Sequence, residues 1–369
     1  FVLFGTVAGF VWLSFFSQFR YPHSLARWSM VGALAAALVP LLFVDANIAP
    51  PRLSRRALPR IAAVLVGFSL IVLLADASYG LAFGDPSGAM RNSITRPAML
   101  NYLTGMVIGA ILPFLFTYYA SRGQRRATIC MLLIALGYFP VVLNKTVLLL
   151  PLWLPFLFWL FSRFEPKIAT ALALLLPMTA GFIDFAITTG FFPQLEPSLF
   201  GIVNLRLLAV PSLALDHYAD FFADHGLTHF CQISVVRRLI GCPYGELGPA
   251  LEAIYHNGNF NASFLATEDI ASVGLTFAPL AALVCGLTIS IGSLASHHLT
   301  PRFVAVSSGI AVLSLMNVPL SAALLTNGVG LLFLLWWISP AEACKPDSGR
   351  AEMRIQRNDP AAKSHSAQR

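Results

Sequence analysis

Between Phe191 and Leu275 the sequence gathers residue types that handle protons and anions. Arg206 is followed by Asp216, His217, Tyr218 and Asp220, then by the pair Arg237 and Arg238. Further on come Asn257, Asn259 and Asn261, and then Glu268 and Asp269. A guanidinium grips phosphate or diphosphate through paired hydrogen bonds. A carboxylate accepts the proton of an attacking hydroxyl. Asn amides contact sugar hydroxyls, and they also make turns. An ordinary surface helix with solvated charges would carry some of the same residues. His217, His225, His229 and His256 lack a metal-ligand spacing, and Gly226 argues against a helix joining His225 to His229, so neither metal nor other cofactor is expected. Cys231 and Cys242 can close a short loop if the compartment is oxidising. Cys130, Cys285 and Cys344 read as unpaired.

The elements that must hold these residues are apolar. Of 369 residues, 57% are hydrophobic and 11% charged, well under the roughly 25% charged residues of soluble domains. Mean hydropathy is +0.73. The pattern predicts an all-α, polytopic helical membrane protein, since lipid requires every backbone polar group to be satisfied internally and no period-2 alternation suggests a barrel. About ten spans are predicted, at 1–16, 29–44, 61–83, 99–120, 127–143, 146–161, 168–190, 274–297, 303–318 and 321–338. Residues 1–338 then form one membrane domain, with 191–273 inserted as a long loop between spans seven and eight. The tail 339–369 is rich in Pro, Ala, Ser and charge and is expected to be disordered. Phe1, not Met, opens the chain, so a preceding segment is expected; no small-residue cleavage site marks 1–16 as a signal peptide.

Charge placement gives an orientation. Arg52, Arg55, Arg56 and Arg60, the three arginines of 121–126, Arg163 and Lys167, Arg302 and the basic tail all fall on one side if ten spans are right. That side is expected to be the cytoplasm. The loop 191–273, with three arginines against eight carboxylates, falls on the other, non-cytoplasmic side. Arg20 and Arg27 run against this pattern. The net charge of +7 is spread over short loops and not interleaved with aromatics, so no nucleic-acid partner is expected. Residues 203–223 are predicted to form an amphipathic helix in the membrane surface, interrupted by Pro211, with Asp216 and Asp220 on one face. Lys145, between spans five and six, is either a snorkelling turn residue or a cation facing a lipid headgroup. Asp76 and Asp184 read as interface markers.

Arg206 with Val210-Pro211, then Tyr218-x-Asp220-Phe221-Phe222, then Asn259-x-Asn261 with Phe264 to Ala266, and Gly274 opening a span, resemble the O-antigen polymerase-like family, the Wzy-type oligosaccharide repeat unit polymerases. Lys145 and Asn317 look similar too. The chain departs from the family in its adjacent Glu268-Asp269 and in its cysteine pair. The resemblance implies an inverting, metal-independent glycosyl transfer on the periplasmic face of the bacterial inner membrane. Its substrates would be undecaprenyl-diphosphate-linked oligosaccharides, with membrane lipid, a chain-length regulator and a flippase as further partners. Asp220 would be the base, with Glu268 or Asp269 as substitutes. Arg206, with Arg237 or Arg238 and Lys145, would neutralise the diphosphate. His217, Tyr218, Asn257, Asn259 and Asn261 would line the substrate. A ligase using the same carrier would look nearly identical. A transporter or flippase would place its charges at the midplane of several spans instead.

Overall fold

The computed structural model describes residues 2–43, 53–54, 56–81, 95–192, 194–245, 247–256 and 268–341. Its elements are helices: α1 (Val2–Phe15), α2 (His23–Phe43), α3 (Ala57–Ala77), α4 (Ala98–Ser121), α5 (Arg125–Val142), α6 (Lys145–Arg163), α7 (Pro166–Phe191) and α8 (Ser198–Asp224). After these come α9 (Ser234–Ile240), α10 (Leu247–Tyr255), α11 (Glu268–Ser296), α12 (Pro301–Ser307), α13 (Ala311–Asn317), α14 (Leu320–Leu325) and α15 (Val329–Ile338). Eight of them, α2 to α8 and α11, are long and apolar enough to cross a membrane, and α15 is a shorter apolar helix. Exposed Leu, Ile, Val and Phe on their outer faces fit contact with lipid rather than water. The chain is a multi-pass helical membrane protein.

Helices α2 and α11 run parallel and form the tightest seam. Ser29 Oγ donates to Leu275 O at 2.5 Å near their starts, and Gly286 lies on the backbone of Ala37 further along. Ala26, Ala33 and Ala37 face Ala278, Ala282 and Gly286, and small side chains let the two backbones approach. The opposite end of the bundle is fixed by Leu53 N donating to Ile338 O at 2.9 Å and by the His298 ring meeting Ser339 O at 2.7 Å. From there α3 rises to Asp76, which pairs with Arg96 at 3.8 Å. Arg96 also donates to Val141 O, the finish of α5. Following the helices back and forth puts Arg56, Arg60, Arg122, Arg125, Arg126, Arg163, Lys167 and Arg302 at one end. The 16–22 connection and the starts of α2 and α11 lie at the other. We call these the basic end and the site end.

Four expectations need correction. Spans nine and ten are not continuous: 303–318 breaks between α12 and α13, and 321–338 breaks between α14 and α15 at Gly328, whose φ of 73° suits glycine. Pro211 does not interrupt its helix. A π-helical stretch at Gly201–Ala209 precedes it, with Val210 N bonded back to Leu205 O, and this looser register accommodates a residue that has no N–H and crowds the preceding turn. The second half of α8 is also not an interfacial helix with a wet face: Ser212, Leu215, Asp216, His217, Tyr218, Phe221 and Phe222 are all buried. Helices α1, α10 and α11 surround it, so its polar residues point into protein. Asp76, read as an interface marker, is fully buried and held by Thr104 and Arg96. Asp184 caps α8, accepting from Leu199 N and Phe200 N at 2.9 and 3.2 Å, where a carboxylate suits a helix start. The tail beyond 341 lies outside the described residues.

The breaks are packed, not loose. Gly105 and Gly109 of α4 lie directly on the backbone at Thr326 and Asn327, beside a π-helical turn at Val107–Ile111. A side chain at either glycine would drive the 326–328 break away. Gly109→Val should therefore destabilise the protein by about 1–3 kcal/mol, seen as a lower melting temperature in detergent, whereas Gly67→Val, with open space around it, should be neutral.

Candidate functional site

The centre of the site end is Asp216, 2% exposed. Trp12 Nε1 donates to Oδ2 at 3.1 Å, Ser17 Oγ donates to Oδ1 at 2.7 Å, and Tyr21 OH also donates to Oδ1. These donors come from the end of α1 and the 16–22 connection. A carboxylate this deep is costly unless its oxygens are satisfied, and each charged hydrogen bond contributes about 1.5–3 kcal/mol. Holding Ser17 and Tyr21 orients Phe19 between them. Its ring meets the edge of His217 at 5.5 Å and that of Tyr255 at 5.2 Å.

His217 is buried and stacks flat on Tyr255, ring centres 4.4 Å apart and planes within 1°. Tyr255, at the end of α10, donates its hydroxyl to Asp220 Oδ2 at 2.7 Å. Asp220 is half-buried. Asp216 and Asp220, four residues apart, do share one side of α8, as their spacing predicts. Burial pushes the Tyr21 hydroxyl well above its ordinary range, and donation to Asp216 adds to the shift. Tyr255 is raised in the same way, first by burial and then by Asp220.

A second polar group is built around the start of α11. Gln232 Nε2 donates to Glu268 Oε1 at 2.5 Å and to Ser272 Oγ at 3.1 Å, and Leu320 N donates to Glu268 Oε2 at 3.1 Å. Thr228 N donates to Ala271 O at 2.7 Å, tying the strap 227–233 to the helix. Asp269 is 3% exposed, and its Oδ2 meets no donor among the described residues. Cys231 and Cys242 are disulfide-bonded with Cα atoms 5.2 Å apart, holding the strap and α9 as one loop. Leu215, Tyr218, Phe222, Ile270 and Ala271 pack in a single apolar cluster between the two polar groups.

Not every predicted residue joins them. Arg206 is exposed, and the 14 positions separating it from Asp220 along α8 amount to about 20 Å. The two side chains do not face one another across a single bond-sized space. Arg237 donates to Gly245 O at 2.8 Å, and Arg238 is exposed on α9. Tyr218 is buried in the apolar cluster. The Lys145 side chain and Asn257, Asn259 and Asn261 lie outside the described residues. Trp12, Ser17, Phe19, Tyr21, Gln232 and Tyr255 were not anticipated. Arg20 was visible only as an exception to the charge pattern; it is exposed and lies between Phe19 and Tyr21, both of which touch the cluster. Compared with protein-family models, with curated proteins and with solved structures, the chain matches none.

Tyr21 and Tyr255 bind their protons more tightly in the folded chain than in the unfolded one, where tyrosine titrates near about 10. Stability from both is full below about pH 10 and is lost as pH rises toward the folded values. In an alkaline melting series, the double variant Tyr21→Phe, Tyr255→Phe should show a shallower fall above about pH 10 than the parent; an identical slope refutes the assignment. Asp216→Asn, which puts an amide where three donors converge, should cost about 1–3 kcal/mol and loosen the 16–22 connection in hydrogen exchange.

Proposed function

We propose that this protein is a glycosyltransferase of the bacterial inner membrane that joins undecaprenyl-diphosphate-linked repeat units into a surface polysaccharide on the periplasmic face. The observation that carries this reading is that Asp216, Asp220, Glu268 and Asp269, from segments far apart in the chain, gather at the end of the helical bundle opposite the basic loops. By the positive-inside rule the basic end is cytoplasmic. Helix α8 is long enough to span, yet its first turn is capped by Asp184 in the second half of α7, it dips to Met178 at the middle of α7, and its last turns reach Trp12 and Ser17 at the site end. That fits a helix that enters the bundle and has both of its ends toward the outer face. The motif resemblance to Wzy-type polymerases points to the same chemistry.

In this reading the acceptor hydroxyl oxygen attacks the anomeric carbon of the donor glycan. The carbon–oxygen bond to the diphosphate breaks with inversion, the hydroxyl proton passes to Asp220, and the electron pair leaves with the diphosphate. Asp220 suits the role because it is half-open and Tyr255 holds its second oxygen. Asp269 is closed off, so it serves less well as the base. A cation must stabilise the departing diphosphate close to Asp220. Arg20, beside Phe19 and Tyr21, suits that position better than Arg206. Arg206 suits the acceptor's own diphosphate, which lies an oligosaccharide away from the attacking hydroxyl.

A lipid-linked oligosaccharide profile of a deletion strain tests the reaction class. Without the protein, single repeat units should accumulate, and a complementing copy should restore long chains; long chains stranded on the carrier would mean ligation instead. Arg20→Gln should cut polymer formation by about 100-fold or more at unchanged protein level. Arg206→Ala should mainly raise the acceptor concentration required, by about tenfold. Normal chain lengths in Arg20→Gln would remove it from the reaction.

A further inference from the structure

A groove of about 540 Å³ runs along the outside of α11, away from the carboxylates. Leu227 and Phe230 of the strap form one wall, and Phe277, Leu280, Ala281 and Val284 form the other, with His229 at the rim. Its mouth is continuous with the exposed stripe of α11. Phe277, Leu280, Val284, Leu287 and Ile291 recur at helical spacing and are 44–62% exposed, the pattern of a lipid-facing side. The groove lies where the helix breaks: Gly274 has φ 77° inside α11, and Leu227 packs against it. Its strap wall is strained, with His229 and Phe230 consecutively left-handed at φ 48° and 61°, a conformation that must be held by surrounding structure. The Cys231–Cys242 bond and the Thr228–Ala271 hydrogen bond hold it.

The strap therefore has two sides. Leu227 and Phe230 face the apolar groove, while Thr228 and Gln232 bond to Ala271, Ser272 and Glu268 within the polar group. The geometry points to a seat for the polyprenyl chain of the lipid-linked substrate: one hydrocarbon chain enters from the bilayer along Val284 and Leu280, and its headgroup emerges beside the strap at the site end. The occupant follows from two features. The groove opens directly onto the lipid-facing stripe, and the strap that walls it bonds through its other side to Glu268 and Ser272, so a lipid seated there brings its headgroup to the strap at the site end. This deepens, and rests on, the lipid-carrier reading above.

The test uses the full chain in nanodiscs of phosphatidylethanolamine and phosphatidylglycerol, with a benzophenone-tagged polyprenyl phosphate as probe. Photolabel should fall on peptides covering 227–230 and 277–284. Ala281→Trp, which fills the groove, should reduce it by about tenfold. Phe277→Ala, at an exposed position and so tolerated by the fold, should reduce it severalfold, about 3-fold. Leu133→Trp, on the exposed face of α5, should leave it unchanged. Full labelling in Ala281→Trp overturns the proposal, as does equal displacement of the probe by excess phosphatidylglycerol and by polyprenyl phosphate, which would make the groove an ordinary phospholipid contact. Groove labelling in a chain that makes no polymer sinks only the polymerase reading. Polymer made at the normal rate by Ala281→Trp sinks only the groove.

Discussion

Asp216 is the point on which the site end is hung. A carboxylate at 2% exposure loses nearly all of its hydration, and three donors from the first twenty-one residues replace it. The exchange holds only while the α1–α2 connection stays against α8. Once it does, Phe19 is carried over His217 and Tyr255, Tyr255 is aligned on Asp220, and α10 is drawn in behind them. One satisfied charge thus sets the relative positions of three chain segments that the membrane alone would leave free to slide.

The second constraint is steric. Alanines and glycines along α2 and α11 bring two parallel helices into backbone contact, so the start of α11 meets the connection ahead of α2. Gly105 and Gly109 do the same for the broken helices α14 and α15, which run from Leu320, bonded through its N–H to Glu268 at the site end, to Ile338 at the basic end. Irregular backbone at this depth is tolerated because neighbouring protein satisfies it. The second polar group is thus lodged beside the break at Gly274 in α11 and the start of α14, where Leu320 N is free to bond Glu268.

The helical character, the lipid-facing surface and the charge asymmetry between the two ends were legible from composition and from where the arginines fall. The residue types of 191–273 mark it as polar, and the four-residue spacing of Asp216 and Asp220 puts them on one side of α8. What went unseen has a common cause. Trp12, Ser17 and Tyr21 lie about two hundred residues from Asp216 in sequence, and no local period connects them. Arg20 registered only as an anomaly in a topology rule. The Arg206–Asp220 pairing suggested by motif order met helix geometry: an unbroken helix stretches 14 positions into about 20 Å.

By itself the sequence determined that this chain lives in lipid as helices, because a backbone without water has few alternatives and the apolar runs are long enough to use the principal one. It also determined which end is rich in cations, since that depends only on counting residues between runs. The tertiary structure alone decided which acids are buried, which are held and which stay open. Those outcomes depend on donors arriving from distant segments at distances of a few ångströms, and such meetings are set by how helices pack, not by the order in which residues are written.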